Sequence, residues 1–259
     1  MKLLKRCIKV LMIAGFWFGI WAFAAWRVGK PLLVPSPLAV LKRLSELMTT
    51  TEFYVITMRS LWNVFSGILL AMAIGCLLAI LTSHVKPLRE LLLPAMTVIK
   101  ATPVASFIIL ALIWIGSLKV PSLITFLIVL PIIWTNLDEG YRCIDPTLLE
   151  VTRVYDMSLW RRTRVLTIPS LKPYFVSACR TSLGLAWKAG IAAEIIAMPR
   201  NVIGTMIGVS KLYIETVDTF AWTLTVILLS LAIEAIVAFL LKGRSRSNTQ
   251  KEVTHAEHT

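Results

Sequence analysis

Between Glu150 and Pro169 an otherwise apolar chain carries a polar run with four arginines, Arg153, Arg161, Arg162 and Arg164, set among Val154, Tyr155, Leu159 and Trp160. Arginine and aromatic side chains interleaved in this way anchor protein interfaces, the first through a planar fork of donors and the second through large, stiff contact areas. The chemistry of the run is therefore docking. Its bland counterpart is a basic loop held against anionic lipid, which needs no partner.

A second set of reactive types lies inside apolar stretches: Lys100, Arg180, Lys188, Glu194 and Glu234. Ionisable groups at membrane depth are costly, so each is a functional candidate. Lys188 and Glu194 are six positions apart, about 120° around a helix and about 9 Å along it, and cannot pair with each other. Lys100, Lys188, Glu194 and the adjacent Trp187 are the candidates for a translocation pathway. For Glu194, which shares a stripe with the small residues Ala186 and Gly190, a bond to a neighbouring helix stays equally open. Arg180 is expected to reach the interface, and Glu234 to make a helix contact.

Other chemistries find no residues to carry them. His84, His255 and His258 fall in a loop and the tail, and Cys7, Cys76, Cys143 and Cys179 show no paired short spacing, so neither metal site nor disulfide is expected. No Gly-x-x-x-x-Gly-Lys-Ser/Thr phosphate loop is present, no acid–base or nucleophile constellation gathers, and no cofactor is expected. The chain is not read as an enzyme. Its net charge of +13 is read as a topology signal carried by loops and not as a nucleic-acid surface.

What must hold these residues is a membrane domain. With 259 residues, 57% of them hydrophobic, 16% charged and a mean hydropathy of +0.78, the composition excludes a soluble globular domain. The apolar runs do not alternate, so the expected fold class is all-α and polytopic, with about six transmembrane helices. The first run, Val10 to Trp26, follows Lys2, Lys5, Arg6 and Lys9 and is taken as a retained anchor (1–27), although Ala22-Phe23-Ala24 resembles a signal cleavage site. An external link (28–58) follows. In it Ser36-Pro37 opens a short amphipathic helix, with Leu38, Leu41, Leu44, Leu47 and Met48 on one face and Lys42, Arg43 and Glu46 on the other.

The main domain (59–242) is expected to hold spans at Leu61 to Thr82, Leu88 to Ile115 with Pro94 and Pro103 inside it, Ser122 to Asn136, Pro173 to Ala197, and Phe220 to Leu241. A cytoplasmic loop (141–170) interrupts it, and a polar tail (243–259) is expected to be disordered. Sixteen of the 27 lysines and arginines fall on the amino end, the 83–90 and 137–172 loops and the tail, against eight on the opposite loops. Positive loops stay inside, so both termini and the arginine-rich loop are expected in the cytoplasm of a multi-pass cell-membrane protein.

The spacing within the arginine-rich loop resembles the coupling loop of ABC importer permeases. Their motif runs Glu-Ala-Ala, three residues, Gly, nine residues, then Ile-x-Leu-Pro, and this chain sets Glu150, Val151, Thr152, Asp156, Leu166, Ile168 and Pro169 at those positions. Val151, Thr152 and Asp156 depart from it. At the glycine position Asp156 is among the few residues that accept a left-handed turn. Leu159 and Trp160 complete the docking set.

Val34-Pro35-Ser36-Pro37, Ala101-Thr102-Pro103, Gly184-Leu185-Ala186-Trp187 and Ala193-Glu194 extend the resemblance to the nitrate, sulfonate and taurine branch of these permeases, from about Pro31 to Lys242. The resemblance implies a type I importer permease fold, a homodimer enclosing the pathway, two ABC ATPase subunits below and an extracytoplasmic substrate-binding protein above. The implied cargo is a small solute, which the lysines tilt toward an anion. An ion-coupled secondary transporter using Glu194 and Lys188 is the alternative; it leaves the 150–169 loop unexplained and would ordinarily show an internal repeat.

Overall fold

The computed structural model describes the backbone of residues 2–256 and the side chains of residues 12–239. The basic amino end with Cys7, and the polar tail expected from residue 243, lie outside the residues whose side chains are described. The chain forms α1 (Lys2–Val28), α2 (Pro37–Met48), α3 (Thr51–His84), α4 (Lys86–Ala101), α5 (Val104–Ile115), α6 (Val120–Arg142), α7 (Pro146–Val154), α8 (Leu159–Arg162), a π-helical turn at Thr163–Thr167, α9 (Ile168–Ala197), α10 (Ile203–Leu212) and α11 (Thr216–Ala256). No strand occurs among the described residues.

Helix α6 is wedged between α3 and α9, and these three make the centre of the molecule. Val64, Ile68 and Ala71 of α3, Val129, Ile133 and Trp134 of α6, and Ala178, Ala186 and Ile191 of α9 are buried there. In lipid no hydrophobic force separates these side chains from their alternatives, so close packing and interhelical hydrogen bonds do the holding. Trp134 Nε1 accordingly donates to Thr82 Oγ1 at 3.2 Å. Gly190 shows how close the helices come: a Cβ there would sit 2.5 Å from Val64 Cγ2.

Six crossings were expected. Among the described residues three helices are long and apolar enough to cross a membrane, α3, α6 and the described part of α11, or four if the bent pair α4–α5 counts as one span. The third expected span does not run through: the chain turns by 104° between α4 and α5. Pro103 forces this, because its ring drives the preceding residue out of the helical region, and Thr102 is extended at φ −77°, ψ 130°. Pro173 does not begin the next span either; α9 starts five residues earlier and carries Pro173 within it.

Outside the centre, α2 begins as expected, with Ser36 Oγ accepting from the Ala39 amide at 3.3 Å and Pro37 at the first helical position. Its buried stripe is narrower than expected: Val40 and Leu44 face inward, whereas Leu38, Leu41 and Met48 are exposed. Arg43 ties α2 to α11 by a two-pronged ion pair, Nε and Nη2 meeting the Asp218 carboxylate at 2.6 and 2.8 Å. At the opposite end Arg89 grips Asp138 in the same way at 2.7 and 2.8 Å, joining α4 to α6.

Candidate functional site

The arginine-rich loop folds as a helical hairpin. Asp145 opens α7, its carboxylate accepting from the Thr147 amide at 2.8 Å, and that bond lowers the carboxyl below its ordinary value. The helix stops where Asp156 takes φ +46°. There the Met157 amide bonds the Thr152 carbonyl and the Asp156 amide bonds the Arg153 carbonyl, both at 3.0 Å. This is the paired-bond stop that a left-handed residue allows, with aspartate standing where glycine is usual. Ser158 then caps α8, accepting from the Arg161 amide at 3.4 Å.

The hairpin is fixed to the membrane helices at two points. Arg162 Nη2 donates to Tyr141 Oη at 3.1 Å, pinning α8 to the end of α6. Behind α8 the widened π turn joins α9 without a break, the Ile168 amide reaching back to the Thr163 carbonyl. Pro169 explains the widening, since a proline ring collides with the carbonyl four residues before it and an extra residue in that turn relieves the collision.

The surface so presented is apolar and basic. Val154, Tyr155, Leu159 and Trp160 are 81, 73, 65 and 69% exposed, and the Arg164 guanidinium lies 5.2 Å from the Trp160 ring centroid. Glu150 and Val151 are exposed on α7, whereas Thr152 is buried with its hydroxyl turned to the Leu149 carbonyl. Thr152, Asp156 and Leu159 line a cleft of about 290 Å³ between the two short helices. Leu166 is half-buried in the π turn, while Ile168 and Pro169 wall an apolar cavity of about 500 Å³ against α3 and α6.

Of the ionisable residues in the apolar stretches, the structure places two lysines on one cavity and sets Glu194 apart from it. Lys100 and Lys188 line one cavity of about 510 Å³. Trp187, beside Lys188 in sequence, points the other way, buried with its indole nitrogen donating to the Val226 carbonyl of α11 at 3.1 Å.

Glu194 is fully buried in a helix junction. Its carboxylate accepts from Ser60 Oγ at 2.8 Å, Asn63 Nδ2 at 3.2 Å and the Gly204 amide at 3.1 Å, while Ser60 also accepts from the Ile203 amide at 2.8 Å. The group thus caps the positive N-terminus of α10 from another helix, which satisfies amides that have no partner within α10 itself. Of the two roles left open by the sequence, the helix bond is the one formed. Sequence assigns no role to Ser60, which it marks only as the start of the family-like stretch Ser60 to Gly75, nor to Asn63 and Gly204; a serine and an asparagine three apart on one face of an apolar helix were the available signal.

A family model of binding-protein-dependent transport system inner membrane components matches residues 67–246. A Bacillus subtilis protein named for aliphatic sulfonate transport is 24% identical over 217 residues, covering 83% of this chain and 78% of its own length. The taurine transport system permease protein of Escherichia coli is 24% identical over 86% of this chain and 80% of its own. For the riboflavin transport system permease protein of Chloroflexus aurantiacus the figures are 25%, 83% and 82%. The fold is similar to a chain of a bacterial alginate ABC transporter solved in complex with an alginate-bound periplasmic protein, with a TM-score of 0.62 and 15% identity over 96% of this chain and 97% of that one. A helical membrane domain with a protruding hairpin, matched over most of its length by one family model, leaves a single assignment: the chain belongs to the family of binding-protein-dependent transport system inner membrane components.

Proposed function

We propose that this inner-membrane ABC permease is the translocating subunit of an ATP-driven importer for a small anionic solute, organic or inorganic, and that it works by alternating access. In this reading two copies enclose the pathway, and two separate ATPase subunits dock on the α7–α8 hairpins from the cytoplasm. A binding protein delivers solute from the far side, and both termini face inward. The permease is not itself an enzyme; the partner chains hydrolyse the nucleotide.

The observation that carries the reading is the hairpin. It is stiff, being stopped by two backbone bonds at Asp156, capped at Asp145 and Ser158 and pinned through Arg162, and it runs into α9 through a continuous helical turn. An element that is rigid, exposed and rooted in a membrane helix transmits a push, whereas a loop resting on lipid needs no such bracing. The excess of positive residues on the hairpin's side supports a cytoplasmic location. The anion is supported by Lys100 and Lys188 facing one cavity, and by two relatives named for sulfonate and taurine transport.

Cysteines at Tyr155 and Trp160 test the docking, with crosslinking to the ATPase expected in the assembled complex. In proteoliposomes, uptake is expected only with ATPase, binding protein and ATP together. Uptake without any ATPase, abolished by a protonophore, would replace this reading with an ion-coupled carrier.

A further inference from the structure

The face of α9 turned away from the core repeats every fourth residue as Arg180, Gly184, Lys188 and Ala192, and Lys188 stands where two cavities meet. The first, of about 510 Å³, receives Lys100 from α4 and Lys188 from α9 between walls that include Phe107, Ile128 and Leu185. The second, of about 740 Å³, continues from Lys188 past Gly184 to Arg180 and Glu234.

Neither lysine has a counter-charge: among the described residues no carboxylate lies within 4.0 Å of either ammonium group. Lys100 Nζ meets only a neutral partner, Thr135 Oγ1 at 3.1 Å. Both side chains are exposed, so two cations without a counter-charge face the open side of an apolar hollow, where an anion can reach them. An ammonium suits such a visitor, since it offers a compact charge and three donors on a flexible stem.

We propose that Lys100 and Lys188 together form an anion site within the membrane, which holds the head of a small organic anion while its apolar body lies against Phe107, Ile128 and Leu185. This rests on the reading of the chain as an anion importer and adds where the anion sits and which anions fit. A fully hydrated inorganic ion would exchange its water shell for two ammonium groups and largely apolar walls, where the Thr102 hydroxyl already donates to the Val98 carbonyl, so it fits worse than an anion carrying an apolar tail.

The two lysines also sit on different elements. Lys100 belongs to the bent α4–α5 pair, and Lys188 belongs to the helix that continues into the docking hairpin. Displacement of α9 against α4 parts the two ammonium groups, leaving the anion on Lys188 alone with the second cavity and Arg180 ahead of it.

The test is equilibrium binding of radiolabelled butanesulfonate to the permease–ATPase complex in nanodiscs, with unlabelled sulfate as competitor. Saturable butanesulfonate binding that sulfate displaces only weakly is expected. Lys100→Met and Lys188→Met should each weaken it by about tenfold or more, the loss of one charged hydrogen-bond donor. Lys188→Arg should retain most of it, and Lys119→Met, an exposed lysine at the α5–α6 turn, should leave it unchanged. Size-exclusion profiles identify any variant that has misfolded.

No binding by the wild-type complex, unchanged affinity in both methionine variants, or sulfate outcompeting butanesulfonate overturns the site. So does a loss in Glu234→Gln equal to that in Lys188→Met, which would make Lys188 a static helix contact. ATP-driven uptake of any other small anion by the complete transporter separates failure of this site from failure of the importer reading.

Discussion

Gly204→Ala adds one methyl group at the junction of α9 and α10, and the structure sets how much it should disturb. The new Cβ would lie 2.6 Å from the Ile195 amide nitrogen and 2.7 Å from the Glu194 carbonyl carbon. Both are backbone atoms of a helix end and cannot rotate away. Ordinary contact begins near 3.4 Å, so clearing these two atoms alone moves α10 by about 0.8 Å, and the still nearer Glu194 Cβ, fixed to the same backbone, makes that a minimum.

That withdrawal lengthens the Gly204 amide bond to Glu194 from 3.1 Å to about 3.9 Å, and the Ile203 amide bond to Ser60 from 2.8 Å to about 3.6 Å, both beyond useful range. A lost bond to a charged acceptor costs about 1.5–3 kcal/mol and a neutral one about 0.5–1.5. Overpacking adds about 1–3 kcal/mol, for a total of about 3–7.5 kcal/mol.

Unfolding in mixed detergent micelles, followed by tryptophan fluorescence, measures the change. Glu194→Gln is the companion: it keeps the shape and one acceptor oxygen, so it should cost less than Gly204→Ala. A Gly204→Ala protein as stable as wild type to within about 0.5 kcal/mol would mean that α10 is not seated on Glu194, and the reasoning would fail.

Three further outcomes follow from the same geometry. Asp156→Val forces a β-branched residue to φ +46°, a strain of about 1–2 kcal/mol, and should lower uptake per ATP hydrolysed in proteoliposomes, whereas Asp156→Gly should match wild type or exceed it in stability. Arg89→Ala leaves Asp138, whose side chain is only 13% exposed, without its two-pronged partner, and should destabilise the protein by about 1–3 kcal/mol in thermal unfolding. The Thr147 amide lowers the Asp145 carboxyl, so its capping of α7 is complete above the ordinary carboxylate range and is lost as pH falls through the lowered value. Protection factors for amide exchange at Thr147 and Leu148, taken against the intrinsic rate at each pH, should fall in acid, and Asp145→Asn, which caps without titrating, should remove that dependence.

Local signals were legible where the structure is local. Ser36-Pro37 opened a helix because the cap and the ring act within one turn, and the turn at Asp156 could be expected because only a few residue types accept a left-handed backbone there. Helix α10 was missed for the opposite reason. Its first residues, Val202, Ile203 and Gly204, include no capping side chain, since the cap arrives from Glu194 on α9 and from Ser60 on α3. A helix start completed across space leaves no local mark.

Prolines misled in two ways. Pro103 was read as a flaw within one span, but an extended Thr102 changes the direction of the chain, and sequence gives no angle. Pro173 was read as a boundary, yet the helix had already been started by the π turn and carried on past it. The face to which Glu194 turns was likewise undecidable from one helix, because a stripe of small residues names a close approach without naming the partner.

Helix α9 unites the features that sequence left scattered. Its 30 residues span about 45 Å, from the π turn beneath the hairpin to the junction where Glu194 holds α10. Lys188 lies about two-thirds of the way along. A rod of that length tilting by about 10° moves one end by about 8 Å relative to the other, so in the proposed importer a displacement of the hairpin would shift Lys188 against Lys100 and load the α10 junction together. Polar bonds brace both ends of such a rod: Arg162 to Tyr141 ties the hairpin to the end of α6, and Glu194 to Ser60, Asn63 and Gly204 holds the far end to α3 and α10. Cutting either end should therefore uncouple hydrolysis from uptake while the centre stays folded, since α3 and α6 are joined there by their own packing and by the Trp134–Thr82 bond.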